Sequence, residues 1–172
     1  GRIQTLYPGR PATVIHNPFR PSESIGPVEK DQLPYVAWIA NFGPAKNVPL
    51  LNSIAARNPH VVFRVAGALS GLANASTREA VAALERLPNV TMMGYLSRQQ
   101  VPEFLGRARY LLSTSLFEGM SNTFLEALSV GTPIICPARV DPDGIVARHH
   151  LGFVAADDEE LSRLVDRAAA LD

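Results

Sequence analysis

The fold turns on "YLLSTSLFEGMSNTFLEALSVGTPIICPA", Tyr110 to Ala138. It opens on an apolar run, Tyr110–Ser115, of strand type. A short polar stretch follows, then Phe124, Leu125 and Leu128 at helical spacing. Gly131 supplies the left-handed residue that ends such a helix, and residues 132–138 return as a second apolar run. Strand, helix and strand in this order imply a parallel pair with a covering helix.

The same alternation extends both ways. Towards the N-terminus lie strand candidates at 12–17, 35–40, 61–67 and 90–96, the first followed by an irregular Pro- and Ser-rich stretch to about Leu33. Val48, Leu51, Ile54 and Ala55 mark one helix, and residues 76–86 a second. Ser97 is expected to cap a third helix, carrying Val101, Phe104, Leu105 and Ala108. Towards the C-terminus, residues 152–156 form a last short strand and 158–171 a closing helix. The fold class is therefore α/β, a Rossmann-like three-layer domain with a parallel sheet. Ligands of such sheets bind beyond the carboxyl ends of the strands. That selects the loops after Ala40, Gly67, Met93 and Ser115.

At 172 residues the chain holds one domain with a sizeable core. Sixteen basic and sixteen acidic residues cancel, which argues against a nucleic-acid partner. No apolar run reaches the length of a membrane helix. The single cysteine, Cys136, reads as a small buried hydrophobe and points to a reducing, cytoplasmic setting. The opening "GRIQTLYPGRP" has no apolar centre of the signal-peptide kind and resembles a linker over residues 1–11, ahead of a domain at 12–172. None of His16, His149 and His150 has metal-ligand spacing, so no metal is expected. "GALSG", Gly67–Gly71, is too short for a dinucleotide fingerprint, and "DPDG", Asp141–Gly144, is turn chemistry.

Between Glu118 and Glu126 lie Gly119, Met120, Ser121, Asn122 and Thr123, just ahead of the apolar helix positions. A helix start has unpaired N–H groups and partial positive charge, which suit a phosphate. The two carboxylates can flank it, each accepting bonds from a vicinal diol. A second reading stands beside this one. Thr123 to Glu126 also fits a capping box, and a glutamate in an exposed loop needs no role. Lys46, likewise, is either a phosphate ligand or a solvated lysine near a helix start.

"EGMSNTFLEALSVGTPII" resembles the signature of the retaining family 4 glycosyltransferases, which have the glycosyltransferase-B fold. "ATVIHNPF", "YVAWIANFGPAKNVPLL", "NVTMMGYLSRQQVPEFLGRARYLLSTS" and "HHLGFVAADDEEL" resemble further segments of that family, from Ala12 onward. The resemblance implies the donor-binding half of such an enzyme, with an N-terminal acceptor domain absent from this chain. It implies Lys46 and Glu118 as catalytic residues, the first neutralising the diphosphate and the second facing the donor sugar. Glu126 would hold the ribose, the backbone from Gly119 to Thr123 the diphosphate, and Met93, Gly94, Tyr95 and Leu96 the base. Asn41 and Gly43 would line the phosphate side.

The substrate implied is a UDP- or GDP-linked sugar, with no cofactor. The acceptor would be a glycan or a lipid-linked molecule, and the full protein could associate peripherally with a membrane. Asn41 departs from the pattern, since the family has an arginine there, paired with the lysine. An amide donates a hydrogen bond without a charge, which favours an alternative: a catalytically silent nucleotide-sugar binding module. Pro18, where a glycine is common, is a smaller departure. A receiver-type domain is disfavoured, because no acidic cluster follows the early strands.

Overall fold

Residues 35–40 carry apolar side chains on both sides of the backbone, and the strand they form, β1 (Val36–Ile39), is packed on both faces. This is the burial expected of a parallel strand between two helical layers. The computed structural model describes residues 34–141 and 144–170, together with Gly9 and Phe19. The strand expected at 12–17, with Pro18, lies outside them.

After β1 come a 3₁₀ turn (Pro44–Lys46), α1 (Val48–Arg57), β2 (Phe63–Ala66), α2 (Ala75–Leu84) and β3 (Val90–Gly94). The chain then continues through α3 (Val101–Arg107), β4 (Tyr110–Leu112), α4 (Asn122–Ser129) and β5 (Ile134–Pro137). A second 3₁₀ turn (Ala138–Val140), α5 (Ile145–Arg148), β6 (Gly152–Ala155) and α6 (Asp158–Ala169) complete the described chain. Among the described residues all strand pairings are parallel and the sheet order is β3-β2-β1-β4-β5-β6. The chain works outward from β1 to β3, then returns to the other side of β1 as β4. The strand order reverses there, which opens a crevice at the carboxyl ends of β1 and β4.

Alternate strand residues feed two cores. Val36, Trp38, Phe63 and Val65 pack with Leu51, Leu84 and Leu161 from α1, α2 and α6. Tyr35, Ala37, Leu111 and Ile134 pack with Leu105, Ala127 and Val146 from α3, α4 and α5. Each fully buried leucine or isoleucine contributes about 1.5–3 kcal/mol. Cys136 is wholly buried within the second core, and its thiol is pushed up to about 12, chiefly by burial and further by the Asp141 charge. It packs as the small hydrophobe expected.

One local expectation is corrected. Ser97 does not cap α3: its carbonyl accepts from the Gln100 and Val101 amides at 2.9 and 3.2 Å, and the helix starts at Val101. Pro102 in the first helical turn explains the shift, because proline fits where an N–H would be unpaired. The turn expected at Asp141–Gly144 is present, the Gly144 amide donating to the Asp141 carbonyl at 2.9 Å. The Asp141 carboxylate accepts from the Val146 and Ala147 amides at 3.1 and 3.2 Å, organising the four-residue α5. Gly131, at φ +74°, follows α4 as anticipated.

Candidate functional site

The loop after β1 and the loop after β4 meet at the crevice. The Leu116 amide donates to the Ala45 carbonyl at 2.8 Å. The buried Thr114 hydroxyl donates to the Lys46 carbonyl at 2.7 Å and accepts from the Trp38 indole at 3.0 Å. These bonds fix the lysine backbone against the end of β4. Glu118, seventy-two positions along the chain, then pairs with the Lys46 ammonium. The Ser115 hydroxyl donates to the same carboxylate oxygen, Oε1, at 2.9 Å. Among the described residues nothing donates to Glu118 Oε2, so it keeps its acceptor capacity.

Lys46, Glu118, Ser121 and Thr123 line one cleft of about 290 Å³ that opens to solvent. Its floor is apolar, from Trp38 and Phe124 among others. Among the described residues Lys46 is the one cation lining it. The start of α4 faces the same space. Ser121 is the residue before α4, with extended backbone and no side-chain cap bond, so Thr123 and Glu126 both lie inside the helix. The capping box between those two residues is therefore not formed.

Glu126 sits in the body of α4, outside the residues that line the cleft. Its carboxylate accepts no hydrogen bond from any described residue. Burial pushes its pKa above the ordinary carboxylate value, and the Arg98 charge nearby pulls the other way.

The remaining expected positions spread along the same edge. Asn41 is exposed at the end of β1, and its carbonyl accepts from the Gly43 amide at 2.8 Å. Gly43 approaches Ser70 of the next loop, where an added Cβ would lie 3.7 Å from the Ser70 Cβ. Met93 and Gly94 end β3, Tyr95 stands 76% exposed, and Leu96 packs on the second core. Gly119 and Met120 border an adjoining apolar groove between α4 and α5. Gly67 fixes the loop after β2: at φ +129° a Cβ would sit 1.8 Å from the Ala40 carbonyl oxygen. "GALSG" is thus a strand exit laid against the loop after β1, bridged through Phe42 and Leu69.

Sequence reasoning overlooked Thr114 and Ser115, small residues at the end of an apolar strand. A hydroxyl-bearing pair just past a strand end in a crevice loop was the available signal. Arg64 and Arg139 are basic residues that do not line the cleft. Arg64 stacks over the Tyr35 ring, 4.1 Å from its centroid. Arg139 donates to the Ser115 carbonyl at 3.0 Å. Among the described residues no helix is long and apolar enough to cross a membrane, and no three or more His, Cys, Asp and Glu gather as metal ligands.

The family model for glycosyl transferases, group 1, matches residues 20–171. No curated protein sequence matches the chain. Among solved structures, the apo form of the lipopolysaccharide outer core galactosyltransferase WaaB is 23% identical, with a TM-score of 0.73 over 98% of this chain and 50% of that one. WaaG, a glycosyltransferase involved in lipopolysaccharide biosynthesis, is 22% identical with a TM-score of 0.65, over 82% of this chain and 39% of its own. HepE from Anabaena, solved with UDP-glucose, is 18% identical with a TM-score of 0.66, over 78% and 38%. The chain thus spans half or less of the length of each. These likenesses establish a shared fold, with the sheet and helices of a glycosyltransferase-B half.

Proposed function

The chain belongs to the glycosyl transferases of group 1, and on that premise we propose that it is the donor-binding half of a hexosyltransferase. With an N-terminal acceptor domain it would move a hexosyl unit from a UDP- or GDP-sugar to an acceptor hydroxyl, retaining anomeric configuration and needing no metal. The acceptor is a glycan or lipid-linked molecule held by that other half. The isolated domain binds donor and does not turn over. The carrying observation is that Lys46 and Glu118 are brought together at the strand-order reversal, beside the start of α4.

Each residue then has a chemical task. The leaving diphosphate gains negative charge as the glycosidic bond breaks. Lys46 and the N–H groups from Gly119 to Thr123 meet that charge with fixed dipoles, already oriented before reaction. Glu118 Oε2 accepts from a donor sugar hydroxyl while Oε1 stays with Lys46 and Ser115. Glu126 accepts from the ribose hydroxyls, and Met93 to Leu96 contact the base. Neither glutamate is a nucleophile; both position.

The experiment is a thermal-shift series with UDP, GDP and ADP and their sugars at millimolar concentration. A rise in Tm with one base, growing with the logarithm of concentration, is expected. No shift with any of them would remove the site. A second reading, a silent nucleotide-sugar binding module, is favoured by Asn41, which puts a neutral side chain where the family has a second cation. It predicts the same Tm shift with an inert full-length protein.

A further inference from the structure

A line of contacts runs from α6, on the far side of the sheet, into the cleft. The first turn of α6 is firmly held. The Asp157 carboxylate accepts from the Glu160 amide at 2.7 Å, and Glu160 reaches back to the Ala156 amide at 2.7 Å. Asp158, in that turn, pairs with Arg139 Nη1 at 2.8 Å. Arg139 belongs to the 3₁₀ turn after β5, and its Nε donates to the carbonyl of buried Ser115 at 3.0 Å. Ser115 is the residue whose hydroxyl holds Glu118. One guanidinium thus ties an anchored helix terminus to the backbone of the turn that carries the cleft carboxylate.

We propose that Arg139 is a positioning residue: it clamps the turn after β4 so that Glu118 is presented to the sugar of the donor. This rests on the donor-site reading above. The turn needs such a strap because it leaves the sheet at Leu112 and has no regular structure until Asn122. Its next residues, Leu116 and Phe117, are 47% and 68% exposed and contribute little packing. Arginine suits the task because its planar fork serves two acceptors at once, whereas a lysine is a single point donor. Arg139 also lies outside the cleft lining, so its effect on a ligand passes through Glu118.

The test compares Arg139→Met, Arg139→Lys and wild type in the full-length protein. Dissociation constants are measured for UDP-glucose, UDP-N-acetylglucosamine and GDP-mannose, each against its free nucleoside diphosphate. Amide hydrogen exchange of residues 115–121 is measured in parallel without ligand. In Arg139→Met the bound nucleotide sugar weakens about tenfold, the worth of one hydrogen bond to a charged group. The free diphosphate binds as before and exchange in the turn accelerates, with Arg139→Lys intermediate. Equal weakening of sugar and diphosphate, or unchanged exchange in the turn, overturns the clamp. If wild type binds none of the donors, the donor-site reading fails instead. The exchange measurement then decides alone whether Arg139 holds the turn.

Discussion

The two glutamates of the cleft region have opposite surroundings. Glu118 lies in an irregular turn, and one of its oxygens is held by Lys46 and Ser115. Glu126 lies in a regular helix, half-buried, and no described residue donates to it. A helix satisfies its own backbone and leaves its side chains to find partners elsewhere. A turn leaves backbone and side chains in need of each other, and here the side chains were recruited to hold it. Ordering therefore came to Glu118 from within the chain, while Glu126 keeps its full acceptor capacity. In the proposed transferase the first is pre-set for a sugar and the second awaits a ribose.

The largest effect should come from breaking the ordered side of this contrast. Lys46→Ala removes the cleft-lining cation and is expected to lower kcat/KM of the full-length transferase by about 10²–10³-fold, as for loss of one preorganised electrostatic donor. The cost to stability should be small, since the pair is partly exposed (32% and 17%) and such pairs are worth about 0–1 kcal/mol. A kinetically normal Lys46→Ala enzyme, assayed at saturating acceptor, would remove the lysine from the mechanism.

A middle-sized effect separates the two carboxylates. If Glu126 holds the ribose as proposed, Glu126→Gln should weaken free nucleoside diphosphate and nucleotide sugar alike, by about tenfold, because the charge-assisted bonds would be lost in both. Glu118→Gln should weaken the nucleotide sugar alone, because only that ligand carries the group it faces. Calorimetric titration of both ligands against both variants gives four constants. Identical patterns in the two variants would collapse the distinction.

How much of this was legible beforehand depended on whether the signal was local. The apolar runs of β1 and β5 and the 3.6-residue spacing in α1 and α6 record burial residue by residue, so the layers could be read directly. Lys46 and Glu118 were each picked out by their loops. Their pairing was not, because it depends on β4 returning beside β1 across seventy-two residues. Asn89 shows the same limit in the fold. In the sequence it is one polar residue between a proline and a strand, yet its amide donates to the carbonyls of Ala55, Asn58 and Val61 at 2.9–3.0 Å and ties the α1–β2 connection to β3. Three acceptors that come together only in three dimensions leave no pattern around position 89. Ser97 failed for the opposite reason: a good local cap signal was outweighed by Pro102, a nearby residue with a stronger steric rule.

The smallest effect sharpens the contrast through pH. Burial raises the folded pKa of Glu126 above its ordinary 4.5, with Arg98 opposing. For a carboxyl raised in the fold, the favourable contribution is present at low pH and is lost as pH rises through the folded value, because the native state then holds a poorly hydrated charge. Glutamine carries no such charge. Glu126→Gln should therefore have a higher Tm than wild type at pH 7, with the gap closing as pH falls to 4.5. On the proposed ribose role, ligand affinity should move oppositely: the ionised carboxylate is the stronger acceptor, so wild-type binding should weaken as pH falls through the folded pKa. Arg98→Gln removes the opposing charge and should shift that midpoint upward. Tm and diphosphate affinity measured together from pH 4 to 8 test both halves. A Tm gap that widens on acidification would mean the Glu126 charge stabilises the fold, and the contrast in burial would then not govern its titration.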